Sequence, residues 1–158
     1  MTATVRRLNH AVLYVRDARA AADFYRDAFG FEAITELPGG AAVFLRAANS
    51  DNHHELGLFS IGAQAPGPER GRVGLYHLAW QVDTIDDLAE IRERLISMRA
   101  LVGESDHGAT KSVYGHDPDG NEFEVMWMVP REEWGQYDKD AVVQPLDLQR
   151  ELARYGTR

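Results

Sequence analysis

Apolar residues in this chain fall in short runs whose spacing alternates between a strand-like and a helix-like period. Leu8 to Val15 (LNHAVLYV) and Leu75 to Val82 (LYHLAWQV) have the apolar, β-branched character of strands. Each is followed at once by a helix signature. Asp17 is placed to cap a helix whose apolar face is Ala21, Phe24, Tyr25, Ala28 and Phe29, with Gly30 as its stop. Thr84 and Asp87 form a capping-box pattern ahead of Ile85, Leu88, Ile91, Leu95 and Met98, which recur at helical spacing. Beyond each helix the pattern changes to strand-like runs separated by turn residues. In the first half these are Phe31 to Leu37, the Pro38-Gly39-Gly40 turn, Ala41 to Ala47, and His53 to Ile61. In the second they are Leu101 to Ser105, Ala109 to Tyr114, the Asp117-Pro118-Asp119-Gly120 turn, and Asn121 to Met128.

Each half therefore reads β-α-β-β-β, and the two halves are related. Leu8 and Leu75, His10 and His77, and Val15 and Val82 each stand 67 residues apart. The pattern predicts an α+β fold of two βαβββ modules, residues 8–61 and 74–128, within a single domain of residues 1–129. The stretch 62–74, rich in Gly and Pro and carrying Arg70 and Arg72, reads as the linker between them. Residues 130–158 lie outside the repeat. They are expected to form a tail with a short helix after Pro145, packed on the domain or on a partner subunit.

The 158-residue length fits one domain. With 44% apolar and 27% charged residues, the composition is that of a folded globular protein. The 25 acidic and 17 basic residues give a net charge of −8 with no basic run, which argues against a nucleic-acid partner. No apolar run is long enough for a membrane span or a secretory signal core, so a cytoplasmic location is expected. The absence of cysteine removes disulfides, thiolate metal ligands and cysteine nucleophiles. Any metal must sit among nitrogen and oxygen ligands.

The repeat singles out His10 and His77, which occupy the same position in the two modules. A labile divalent metal usually takes at least three protein ligands, one often a carboxylate. In NEFEVMW, alternation puts Glu122, Glu124 and Met126 on one strand face and Phe123, Val125 and Trp127 on the helix-packed face. Periodicity alone makes Glu122 and Glu124 equally eligible as the third ligand.

These residues resemble the vicinal oxygen chelate superfamily, over about Leu8 to Met128. The resemblance implies that the paired modules form a cup-shaped, partly open mixed sheet around a central metal, with helices outside. The DPDGN turn followed by Glu124 resembles the superfamily's last-strand motif, which implies Glu124 as a metal ligand together with His10 and His77. Three further stretches are similar to type I extradiol dioxygenases of the catechol 2,3-dioxygenase kind. In HHELGLF, His54 matches that family's acid/base histidine. In SDHGATKSVYGHDPDG, His107 and Tyr114 match residues that hydrogen-bond the substrate. PLDL, at Pro145 to Leu148, resembles the end of single-domain members.

Strand alternation places His54, Leu56 and Leu58 on one face and His53, Glu55 and Gly57 on the other, so His54 and Glu55 cannot both point inward. A glyoxalase-like site would use a fourth ligand there, and Glu55 is the carboxylate available. The dioxygenase resemblance implies that His54 faces in. It also implies Fe(II), with Mn(II) accepted by the same donors, an aromatic diol and O2 as substrates, and a homodimer. A metal-dependent glyoxalase-like lyase or epimerase, or a small-molecule (antibiotic) binding protein, is the alternative. His53 is expected to be exposed and His116 to be a turn residue, neither with a chemical role. Trp80, Trp127, Met126, Met128, Trp134 and Tyr137 are candidates for lining a pocket and equally for the core or an interface.

Overall fold

The structure is a computed structural model and describes residues 2–157. The chain divides after Gly67 into two compact units. In the first, the element order is β1 (Ala11–Val15), α1 (Ala18–Phe29), β2 (Glu32–Glu36), β3 (Ala42–Arg46) and β4 (Leu56–Ser60), with a single 3-10 turn at Pro38–Gly40. In the second it is β5 (His77–Val82), α2 (Ile85–Ser97), β6 (Leu101–Asp106), β7 (Thr110–His116) and β8 (Glu122–Met128), followed by 3-10 turns and α3 (Leu148–Tyr155). Each unit holds one four-stranded mixed sheet, ordered β1-β4-β3-β2 and β5-β8-β7-β6. The first and last strands of each module run parallel and the remaining pairs antiparallel. The repeated β-α-β-β-β order is thus the order found, and the fold is α+β. Among the described residues no helix is long and apolar enough to cross a membrane.

Local chemistry explains the element ends. The Asp17 carboxylate accepts from the main-chain N–H groups of Arg19 and Ala20, and Gly30 closes α1 with its N–H on the Arg26 carbonyl. The Thr84 hydroxyl accepts from the Asp87 N–H and donates to its carboxylate, opening α2. That helix has no glycine stop. Arg99 turns the chain at φ 57°, and the Ala100 N–H reaches back to the Leu95 carbonyl.

In the first unit Ala18, Ala21, Tyr25 and Ala28 of α1 are buried, as are Leu45 of β3 and Leu56 and Leu58 of β4. In the second, Leu88 and Leu95 of α2 are fully buried, as are Val113 of β7 and Val125 of β8. Phe123, Val125 and Trp127 are all buried, so the alternation read from NEFEVMW holds and puts Glu122, Glu124 and Met126 on the opposite face. Trp127 packs against Tyr155 of α3, with ring centroids 5.0 Å apart. It is a core residue, not a pocket lining. Trp80 pairs in register with Val125 and shares that helix-packed face.

Candidate active site

The turn before β8 fixes which face its side chains take. Asp117 is buried, and one carboxylate oxygen accepts from the N–H groups of Asp119 and Asn121 while the other accepts from the Asn121 side chain, each at 2.9 Å. Gly120 sits at φ 90°, a conformation that residues with a Cβ rarely adopt. DPDGN is therefore a register device. It sets His116 and His77 directly opposite Glu122, and Tyr114 and Ala79 directly opposite Glu124.

One row of this face reads His116, Glu122, His77. The Glu122 carboxylate lies 3.6 Å from His116 Nε2 and 3.7 Å from His77 Nδ1, with the Arg70 guanidinium also at 3.7 Å. His116 ends β7 and belongs to this row, so its expected place in the turn is corrected: main-chain pairing with Glu122 carries the strand two residue pairs beyond Tyr114. His77 Nδ1 is buried without a hydrogen-bond partner. Its Nε2 lies 3.1 Å from Glu124 Oε2. Two donors about 2.1 Å from one ion at right angles would stand about 3.0 Å apart, so this pair fits neighbouring ligands of a divalent metal.

The adjoining row carries proton-transfer groups. The Tyr114 hydroxyl lies 3.3 Å from Glu124 Oε1 and 2.8 Å from His107 Nε2, and His107 Nδ1 lies 2.8 Å from the Val142 carbonyl. A carbonyl oxygen only accepts, so Nδ1 carries a proton. In the neutral ring Nε2 then accepts from Tyr114. In the charged ring it donates to Tyr114, whose proton is freed for Glu124. Burial, reinforced by the negative charge of Glu124, pushes the Tyr114 phenol up to about 12, so it remains a donor through the neutral range.

The first unit places His10 one residue before β1 and His54 two residues before β4. Their rings lie 4.5 Å apart between centroids, and the Phe44 ring meets His54 edge-on at 5.2 Å. Both expected strands start later than read, because main-chain pairing begins only at Ala11 and Leu56. His54 thus escapes the alternation of Leu56 and Leu58, which bury on the helix side, and lies with Phe44 instead. Its pKa is held below 6.5 by burial, and further by the neighbouring His10 and His53, which favours the neutral base. His53 is exposed, as expected, although its Nδ1 lies 2.9 Å from His54 Nδ1.

Glu55 is committed elsewhere. Its carboxylate accepts from the Ala47 N–H at 2.9 Å and from the Ser50 hydroxyl, clamping the loop between β3 and β4. The strand register also changes which residue corresponds to Glu124. Ala11 pairs with Leu56 and Leu78 with Phe123, so the 67-residue offset carries through both strand pairs. Glu55 is then the counterpart of Glu122, and Gly57 the counterpart of Glu124. At Gly57 a Cβ would meet the Phe44 ring at 3.4 Å and Val12 at 3.5 Å. The first module offers no carboxylate at the position its repeat uses for Glu124. The glyoxalase-like alternative takes Glu55 as its fourth ligand, whereas the pairing register aligns that residue with Glu122.

The structure therefore groups His77, Glu124, Tyr114 and His107 within the second unit, and His10 with His54 within the first. Among the described residues, no three His, Asp or Glu donors gather so as to hold an ion.

Residues 7–125 match the family model of the Glyoxalase/Bleomycin resistance protein/Dioxygenase superfamily. The chain belongs to this superfamily. Among superfamily members it is 35% identical over 125 residues to biphenyl-2,3-diol 1,2-dioxygenase 3 of Rhodococcus globerulus, a match covering 76% of this chain and 62% of that protein. It is 28% identical over 134 residues to catechol-2,3-dioxygenase of Bacillus subtilis (strain 168), covering 84% of this chain and 45% of that protein. The chain thus spans between about half and two thirds of the length of these relatives. A glyoxylase/bleomycin resistance protein/dioxygenase domain from Frankia sp. EAN1pec shares the superfamily fold with a TM-score of 0.66 at 20% identity, over 80% of this chain and 100% of that domain.

Proposed function

We propose that the chain is an Fe(II)-dependent extradiol dioxygenase that cleaves the ring of a catechol-type aromatic diol with both atoms of O2. In this reading His10, His77 and Glu124 hold the metal, with Mn(II) as an alternative occupant. The observation that carries it is the Tyr114 hydroxyl, set between Glu124 at 3.3 Å and His107 at 2.8 Å. A lyase or epimerase site does not need the trio His54, His107 and Tyr114. The named relatives act on aromatic diols, which supports the same reading.

A two-histidine, one-carboxylate set leaves open positions, and Fe(II) held there supplies the one-electron chemistry that brings a diol and O2 to reaction. The protein's part is proton handling and orientation. His54, kept neutral by its surroundings, takes a proton from a diol hydroxyl and returns it to the opened product. The single Tyr114 proton goes to the developing negative charge on a substrate oxygen when His107 Nε2 donates to the phenol oxygen, and to Nε2 when that nitrogen carries no proton. Met126 and Met128 share the Glu124 face and are the second unit's apolar contributors to substrate contact. A glyoxalase-like metal lyase or epimerase is the second reading, and an antibiotic-binding role the third. Gly57, the counterpart of Glu124 in the repeat, carries no carboxylate, which weighs against the former. The tail and a homodimer partner are further parts of the proposal.

The test is anaerobic reconstitution with Fe(II), followed by a panel of catechols in air with O2 uptake and the yellow absorbance of the ring-opened product recorded together. Coupled uptake and colour are expected, lost in His10→Ala and His77→Ala. His54→Phe should keep its iron and lose on the order of 10²-fold in turnover. Iron-loaded protein inert toward every diol would sink the dioxygenase reading, and full turnover in His54→Phe would remove the role given to that residue.

A further inference from the structure

Three consecutive residues at the end of β6 are each gripped by the C-terminal segment. Asp106 and Gln144 exchange two main-chain hydrogen bonds, at 2.8 and 2.9 Å. His107 Nδ1 donates to the Val142 carbonyl at 2.8 Å. Gly108, at φ 78°, lies under the Tyr137 ring so closely that a Cβ there would stand 2.4 Å from the ring's Cγ. Behind them, α3 anchors the segment. Arg150 reaches the Asp106 carboxylate at 3.2 Å, and the buried Lys111 ammonium sits 2.6 Å from Asp106 and 3.9 Å from Glu151.

These contacts converge on one side chain. Free imidazole prefers its proton on Nε2, yet here the Val142 carbonyl requires it on Nδ1. With Nδ1 so engaged, Nε2 points at Tyr114 with a free lone pair. The flanking contacts at Asp106 and Gly108 hold the carbonyl in place, and both belong to the same grip.

We propose that the C-terminal segment is the positioning element for His107, fixing its Nδ1–H tautomer through the Val142 carbonyl and so aiming Nε2 at Tyr114. Its kinetic consequence rests on the dioxygenase reading; the tautomer does not. Because Gln144 acts through its main chain, Gln144→Pro removes the N–H that the Asp106 carbonyl accepts, whereas Gln144→Ala leaves it intact.

The experiment is a long-range 1H–15N spectrum of the metal-free, 15N-labelled full-length protein, with His107→Gln used to assign the resonance. Wild type and Gln144→Ala are expected to show His107 as Nδ1–H, and Gln144→Pro to revert largely to Nε2–H. Loaded with Fe(II), Gln144→Pro should keep its iron content and KM while kcat falls about tenfold, the loss of an oriented proton-transfer group. If Gln144→Pro does not fold, Tyr137→Ala loosens the same grip from a side chain alone and should show the same reversion in smaller measure. Nε2–H in wild type, or an unaltered tautomer in both variants, overturns the proposal. A tautomer shift in a protein that cleaves no diol would uphold the positioning role and defeat the dioxygenase reading. Diol cleavage with tautomer and kcat both unmoved in the variants would do the reverse.

Discussion

Replacing Glu55 with Ala separates a loop clamp from a metal ligand. The carboxylate accepts from the Ala47 N–H and the Ser50 hydroxyl, and the Ser50 oxygen in turn accepts from the Asn52 N–H at 3.0 Å. Hydrogen bonds to a charged group contribute about 1.5–3 kcal/mol each when well shielded. Glu55 is only half-buried, so about 1 kcal/mol for each of its two bonds is the appropriate scale. A loss of about 2 kcal/mol, read against a urea dependence of about 2 kcal/mol per molar, lowers the unfolding midpoint by about 1 M. Glu55→Gln keeps one acceptor oxygen and should fall between. In both variants the bound iron, measured by metal analysis after reconstitution, is expected to stay at the wild-type level. Iron lost with the urea midpoint unmoved would make Glu55 a ligand, and the correspondence of Gly57 with Glu124 would no longer describe the site.

Glu124→Ala is expected to abolish iron binding, whereas Glu122→Gln should retain a full complement with affinity lowered about tenfold, as when the carboxylate that steadies a ligating histidine is neutralised. Stoichiometric iron in Glu124→Ala, measured the same way, would transfer the ligand role to Glu122. Lys111→Met leaves Asp106 and Glu151 buried with, among the described residues, Arg150 as their remaining cationic partner, at a cost of about 3 kcal/mol. Urea unfolding should show it, and a change below about 1 kcal/mol would mean that the cluster is solvated. Tyr155, like Tyr114, is pushed up to about 12, by burial and then by its hydrogen bond to Glu133. A folded-state value above the unfolded 10 means that its contribution to stability is complete below pH 10 and lost as pH rises through about 12. Phenolate absorbance in wild type and Tyr155→Phe checks this; a Tyr155 phenolate already formed at pH 10 would contradict it.

The repeated module was legible because its signals are local. Asp17, Gly30 and Thr84 cap as their types dictate, and the buried set of β8 follows two-residue alternation. What the chain did not disclose depends on pairing partners far away in sequence. His10 and His54 lie outside their strands because β1 and β4 pair only from Ala11 and Leu56 onward. His116 joins β7 because Glu122 is opposite it. The stop of α2 has no glycine to announce it, since Arg99 accepts the left-handed turn there. The tail's contribution was hidden for a different reason. Val142 and Gln144 act through main-chain atoms, which no side-chain pattern records.

The strand register within each module also shows where the two modules differ. Phe44 stands opposite Gly57 in the first unit, and Tyr114 opposite Glu124 in the second. The duplicated position thus holds an aromatic ring over a glycine in one copy and a phenol beside a carboxylate in the other. Charge explains why this asymmetry is useful. In the proposed site, a carboxylate in both copies would offer a fourth ligand and close one of the positions that a two-histidine, one-carboxylate set leaves open. Glycine at 57 instead leaves room for Phe44, whose ring packs edge-on against His54. An apolar neighbour disfavours the charged imidazole, and the lowered pKa of His54 arises chiefly from burial. On the proposed assignment, glycine at 57 would leave a metal position open and would let Phe44 pack beside His54, whose lowered pKa favours the neutral ring.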